Sequence, residues 1–168
     1  MTKKITHQRL YNISLYYLSR FDASADKVRQ MLKRRIAKAA QQGQDIPPET
    51  NEWINDIVSK VIHLGYVDDK RYGENQVRIM AAQGKSARFM AVKLNQAGLD
   101  AEVIETVLST ADTDDLERAK ILVKRKKMGW MRPENMQKEY YKKDLAALGR
   151  AGFSYETASL ALKVSEDL

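Results

Sequence analysis

The sequence predicts an all-α protein, built as three tandem three-helix repeats in an elongated, curved helical array. Three observations predict it. Apolar residues recur at three- and four-residue steps along nearly all of the 168 residues, the spacing of one helix face. No run alternates with period two for long enough to form a strand. Two stretches of the chain also repeat in register with later ones. Only three prolines and eight glycines argue further against a turn-rich β-sandwich.

About nine helices follow from the punctuation. Leu10, Ile13, Tyr17 and Leu18 share a face of the first helix. Ser24 is an N-cap for the second, whose face is Val28, Met31, Leu32 and Ile36, with Asp26 in the first turn. The Gln-, Gly- and Pro-rich segment from Ala40 to Thr50 is the clearest linker, within a break at about 37–50. Pro48 suits the first turn of a helix carrying Trp53, Ile54, Ile57, Val61 and Leu64, which Gly65 ends. Asp68 and Asp69 then cap and charge the next N-terminus. Ser86 caps a helix that runs to Gln96 and stops at Gly98. Met128 to Asn135 is a second linker, with Pro133 in the first turn of the helix after it.

The repeat is weak but ordered. Leu94-Asn95-Gln96-Ala97-Gly98-Leu99 resembles Leu148-Gly149-Arg150-Ala151-Gly152-Phe153, 54 positions later. Glu102 matches Glu156 and Leu108 matches Leu162 at that offset. Asp69, Gly73, Val77 and Arg78 match Asp115, Ala119, Val123 and Lys124 at an offset of 46. The eight-residue difference falls on the linker around Trp130 and Pro133, where a loop insertion explains it. The predicted units are 1–67, containing the long linker, then 68–112 and 113–168. Each buries its faces on its neighbours. Leu94, Leu108, Leu148 and Leu162 are expected to be buried at equivalent places.

Composition excludes several chemistries. There is no cysteine, hence no disulfide framework, thiolate metal site or cysteine nucleophile. No phosphate-binding glycine loop, metal-spaced cluster or nucleophile elbow is present. His7 and His63 are far apart, and His63 suits a helix C-terminus. Asp68 and Asp69 read as caps rather than an acid–base pair. No catalytic residue, metal or cofactor is expected, and the protein is not expected to be an enzyme. Lys3, Lys4 and Arg9 ahead of Leu10 to Ser19 make a poor signal peptide, because Asn12, Ser14 and three tyrosines interrupt the apolar stretch. With no membrane span, a soluble cytoplasmic monomer is expected.

The functional feature is positive charge. Twenty-nine Lys and Arg against 22 Asp and Glu give a net +7, which favours a polyanion or an acidic protein surface. The ends of the chain are basic and the middle is nearly neutral. The dense runs are Lys33-Arg34-Arg35, Lys124-Arg125-Lys126-Lys127 and Lys142-Lys143. A run of four covers a full helical turn, so its members cannot all face one partner. Trp130, Tyr140 and Tyr141 lie beside the last two runs; aromatic residues at helical spacing read as core before they read as base-stacking groups. The candidate binding stripe is Arg34, Arg35, Arg71, Arg78, Lys85, Arg88, Lys124, Lys127, Lys142 and Arg150.

Gly65-Tyr66-Val67-Asp68-Asp69-Lys70-Arg71-Tyr72-Gly73 resembles the most recognisable stretch of the RecX family. Gly84, Arg88, Phe89, Leu94, Gly98 and Leu99 continue the family's spacing. Leu18-Ser19-Arg20, Ser24, Val28-Arg29, Leu32 and Gly152-Phe153-Ser154 resemble its first helix pair and last turn, so the resemblance covers about residues 10–165. Met80 stands where the family commonly has a basic residue, and the 36–50 segment replaces a short turn. The resemblance implies three-helix repeats that bind the RecA recombinase on its single-stranded-DNA filament. It implies control, most often inhibition, of filament growth, ATP hydrolysis, strand exchange and coprotease activity in DNA repair and the SOS response. The charge alone is also met by a general nucleic-acid-binding repeat protein that needs no RecA, and a purely structural adaptor would leave these basic faces solvated.

Overall fold

A computed structural model describes residues 4–111 and 114–163. The expected boundary between the second and third units, at 112 and 113, lies outside the described residues. The described residues form nine α-helices and one 3₁₀ turn, with no strand: α1 His7–Leu18, α2 Ala25–Gln41, α3 Thr50–His63, α4 Asp69–Ala82, α5 Ala87–Gln96, α6 Ala101–Ser109, α7 Asp115–Lys126, the 3₁₀ turn Gly129–Met131, α8 Glu134–Arg150 and α9 Tyr155–Lys163. The all-α expectation holds.

Caps set these boundaries. Thr6 and Asp114 accept from the N–H groups of Arg9 and Glu117 at the starts of α1 and α7. Ser24 and Ser86 do the same for Lys27 and Phe89 at the starts of α2 and α5. α2 continues through Gln41, because Ala37, Lys38, Ala39 and Ala40 are strong helix formers, and the connection to α3 is residues 42–49. The two prolines sit outside their helices rather than in the first turn: Pro48 precedes the Glu49 N-cap, and Pro133 is itself the N-cap of α8. Each lacks an N–H to donate and stiffens the approach to the helix.

Five helices end in the same hydrogen-bonded turn. After α2, α3, α4 and α8 the left-handed residue is Gly43, Gly65, Gly84 or Gly152. Its N–H bonds three residues back, and the next N–H bonds five back, as in Gly65 to Ile62 and Tyr66 to Val61. After α7 that place is held by Lys127, at φ +52. Lys127 bonds to Lys124 and Met128 to Val123, and the buried pair Val123 and Met128 closes the turn over the core. Lys127 is the one non-glycine residue at positive φ among those described.

The described residues of Met1–Tyr72 and Ala97–Asp100 form one compact unit, and those of Gly73–Gln96 and Ala101–Leu168 form another. The first is centred on Leu10, Val28, Leu32, Ile54, Ile57, Val58 and Val61, from α1, α2 and α3. In the second, α7, α8 and α9 enclose Ala119, Leu122, Val123, Leu148, Phe153, Ala161 and Leu162. Leu94, Leu148 and Leu162 are buried as expected. Leu108 is not: it is half-buried, and its neighbour Val107 takes the buried place on α6. The two are adjacent on the helix, about 100° apart, so a small rotation of α6 decides which faces inward. Met80 is in the core.

The second linker is held firmly. Asp144 of α8, 2 % exposed, accepts both Nε and Nη2 of Arg132 at 2.8 Å and the Gly129 N–H at 3.0 Å. Trp130 Nε1 donates to Ala161 O at 3.2 Å, and Tyr141 shares a hydrogen bond with Ser159. Both rings pack against the core, as the helical spacing of aromatic residues predicts.

Candidate polyanion interface

Two joints of the same design place the basic residues. In the first unit, Ser24 Oγ donates to Ala97 O, and Asp69 Oδ1 accepts the Ala25 N–H at 2.8 Å. In the second, Ser86 Oγ donates to Ala151 O at 2.8 Å, and Asp115 Oδ1 accepts the Ala87 N–H at 2.9 Å. Gly98 and Gly152 complete the two joints; a Cβ on either would strike the Asp26 side chain or Ser86 Oγ, respectively. Asp68 caps its own helix through the Arg71 N–H at 3.0 Å, while Asp69 caps α2. Both aspartates are caps, and only Asp69 spans 44 residues to be one.

The second joint builds a groove. It holds the C-terminus of α8 against the N-terminus of α5. Arg125 Nη1 donates to Gln83 O at 3.0 Å, which ties the last turn of α7 to the end of α4. Between them lies a cavity of about 290 Å³ lined by Lys85, Phe89, Leu122, Arg125, Lys126, Ala147, Arg150 and Ala151. Four of these residues are cationic and none is acidic. Lys85 Nζ sits 4.7 Å from the centre of the Phe89 ring.

The structure therefore brings Lys85 and Arg150 of the candidate stripe together and adds Arg125 and Lys126. Lys124 turns toward Trp130, with Nζ 6.0 Å from the ring centre, and Lys127 ends α7. Arg88 is exposed on α5. Arg78 is exposed, donates to Asn75 Oδ1, and borders a mainly apolar cavity of about 510 Å³ with Glu74, Val77, Val107 and Ile121. Lys142 lines a separate cleft of about 760 Å³ that also contains Glu134 and Glu139. In the first unit, Arg34 and Arg35 are exposed on α2, and Arg71 shares a cavity with Asp68 and Asp69. Arg118, 4 % exposed and paired with Asp115 at 2.8 Å, and Arg132 serve packing.

Two carboxyl groups have shifted affinities for protons. Burial raises the pKa of Asp69, and the charges of Asp100, Asp68 and Asp26 add to the rise against the opposing Ala25 hydrogen bond. Burial alone would also raise Asp144, but the Arg132 hydrogen bond, the Gly129 N–H and the Arg132 charge outweigh it and hold Asp144 below the usual range. Among the described residues no group of three or more His, Asp or Glu is placed to hold a metal ion. None of their helices is long and apolar enough to cross a membrane.

No family model matches the chain. A regulatory protein RecX of Myxococcus xanthus is 30 % identical over 159 residues, covering 93 % of this chain and 85 % of the relative. The chain belongs to the RecX family. A regulatory protein RecX of Agrobacterium fabrum is 27 % identical over 157 residues, covering 93 % and 83 %. The crystal structure of RecX from Lactobacillus salivarius shares the fold, with a TM-score of 0.65 at 23 % identity over 93 % of this chain and 94 % of that one. Both of these sequence relatives are named as regulatory proteins.

The stretch from Gly65 to Gly73 is a joint. Gly65 ends α3, Val67 is buried, Asp68 caps α4 and Asp69 caps α2. Tyr72, 2 % exposed, receives the Lys27 ammonium on its hydroxyl, with Nζ 4.9 Å from the ring centre. Within that stretch only Lys70 and Arg71 present exposed cations.

Proposed function

We propose that this protein is a non-enzymatic regulator of the RecA recombinase. It binds the RecA–single-stranded-DNA filament and limits its growth, and through that ATP hydrolysis, strand exchange and coprotease activity. The observation that carries the reading is the groove of Lys85, Arg125, Lys126 and Arg150, with no carboxylate in its lining, in a member of a family of regulatory proteins. A cationic surface of this kind answers the phosphates of DNA and the acidic surface of a protein alike. Attraction of that kind speeds encounter more than it sets specificity. Arg34, Arg35, Arg71, Arg78, Arg88, Lys124, Lys127 and Lys142 extend the proposed stripe beyond the groove. The reading includes a soluble cytoplasmic monomer of three helical units, 1–67, 68–112 and 113–168. The two equivalent joints support the repeat.

The test is the single-stranded-DNA-dependent ATPase rate of RecA from the same organism, titrated with this protein. The expected result is suppression at amounts well below one per RecA monomer. No effect up to saturation overturns the reading. The carboxylate-free groove also favours a second reading, a general nucleic-acid binder that needs no RecA. It predicts tight binding to naked DNA that falls steeply with salt, by about 0.7–0.9 in the logarithmic slope for each phosphate neutralised.

A further inference from the structure

We propose that the groove between α5, α7 and α8 is a discrete nucleotide-phosphate site. Lys85, Arg125, Lys126 and Arg150 receive one phosphate group, and Phe89 and Leu122 face the sugar and base that carry it. The proposal deepens the reading above at the same groove and rests on it only in taking this cationic face as the working one.

Arg125 and Lys126 lie in the last turn of α7 and Arg150 in the last turn of α8, where cations favour the helix dipole. Each helix end presents about half a negative charge. The C-terminal ends of α7, α8 and α4, the last bonded by Arg125 at Gln83 O, account for about one and a half of the four positive charges, and the N-terminus of α5 adds back about half, leaving a surplus of about three. With no acid in the lining, that surplus is left to solvent ions or to a multiply charged ligand.

The geometry narrows the ligand. Arg125 is preset by its bond to Gln83 O at 3.0 Å and keeps further N–H donors for a tetrahedral anion, the planar fork that matches phosphate. The lining is not wholly cationic. Leu122 is buried, Phe89 is half-buried, and the Phe89 ring already carries Lys85 at 4.7 Å and Lys93 at 5.7 Å. A bare inorganic anion uses the cations and leaves this apolar wall wet; a nucleotide covers both. The volume of about 290 Å³ is at the small end for ligand sites, enough for a single nucleotide rather than a long strand. The phosphate comes either from a DNA strand or from a free nucleotide.

The test omits RecA, so its failure is separate from failure of the ATPase test. Fluorescence anisotropy follows labelled oligothymidylate, with unlabelled ATP, inorganic pyrophosphate and thymidine as competitors. The groove variant Lys126→Gln/Arg150→Gln is compared with Lys138→Gln/Lys163→Gln, which removes the same charge from the other cleft. All four side chains are exposed, and an unchanged melting temperature confirms folding. The groove variant is expected to weaken oligothymidylate binding about tenfold or more and to lower the salt slope by about 0.7, the value for one single-strand phosphate contact. The comparison variant is expected to change binding less than about threefold, and thymidine not to compete. ATP competing better than pyrophosphate, in a groove-dependent way, assigns the site to free nucleotides. Competition from neither, with the groove-specific loss intact, assigns it to the strand. Equal losses in both variants, or no binding by the native protein, overturn the site.

Discussion

Ser86 Oγ donates to Ala151 O across 65 positions of the chain, as Ser24 Oγ donates to Ala97 O across 73. Each serine also caps its own helix, so one hydroxyl both closes a helix start and bonds a backbone carbonyl far along the chain. Ser24→Ala and Ser86→Ala are each expected to cost about 1–3 kcal/mol, from a lost cap and a carbonyl left without its donor. Chemical denaturation measures the loss. A cost below about half a kcal/mol at both would remove the joints as stabilising elements.

Lys127 occupies a left-handed position that glycine holds in four equivalent turns. Lys127→Gly is expected to stabilise the fold by about 1 kcal/mol, the cost of holding an ordinary residue there. That raises the melting temperature by about 2–4 °C in a chain of this size. The same substitution removes a cation of the proposed stripe, so a gain in stability with a loss of RecA suppression would show that strain is kept for binding. A fall in melting temperature would contradict the strain.

Asp144 and Arg132 pin the 3₁₀ turn. Asp144→Ala is expected to destabilise the fold, because it removes a buried carboxylate that pairs with Arg132 and accepts the Gly129 N–H, and to shift the emission of Trp130 toward that of exposed indole. The pH dependence has a definite sign. Asp144 is lowered, so its stabilisation is present above its unfolded pKa of 3.8 and is lost as pH falls through the lower folded value. Asp69 is raised, so its protonated form is favoured in the folded state and stability falls as pH rises from 3.8 through its folded value. Asp69→Asn is expected to reduce that fall, while Asp144→Ala is expected to remove the acid-side loss. Urea melts across the acid range check both.

Leu148→Ala and Leu94→Ala are expected to cost about 2–5 kcal/mol each, as buried leucines do. Leu108→Ala is expected to cost less than half as much, because its side chain is already partly in solvent. Equal costs at Leu108 and Leu148 would place α6 in a different rotation.

Charge reversal at Arg78 and Arg88 separates a broad stripe from a single groove, since both residues are exposed outside it. Arg78→Glu/Arg88→Glu is expected to weaken RecA suppression without unfolding the protein. Unchanged suppression by the folded double variant would confine binding to the groove.

The candidate site was only partly legible in the sequence. Lys85 and Arg150 belong to the candidate stripe read from the sequence, but nothing local joins residues 65 positions apart. Arg125 and Lys126 belong to a run that covers a full turn, and the period of 3.6 gives the spacing of faces without saying which face meets a neighbour. Asp69 read as a cap for its own helix because capping is normally local; only packing brings it to Ala25. Asp144 carried no signal at all, since its partners Arg132 and Gly129 lie beyond the turn it closes.

The sequence alone determined the helical class, the caps at Ser24, Asp68 and Ser86, the glycine stops, and the register that matches Asp69 with Asp115 and Gly98 with Gly152. These depend on interactions within one or two turns, where residue type and spacing suffice. Tertiary structure decided that Val107 rather than Leu108 is buried, that Asp69 caps α2, and that Arg125 and Lys126 rather than Lys124 line the groove with Lys85 and Arg150. Each of those outcomes depends on the rotation of a helix about its own axis, which is set by what packs against it.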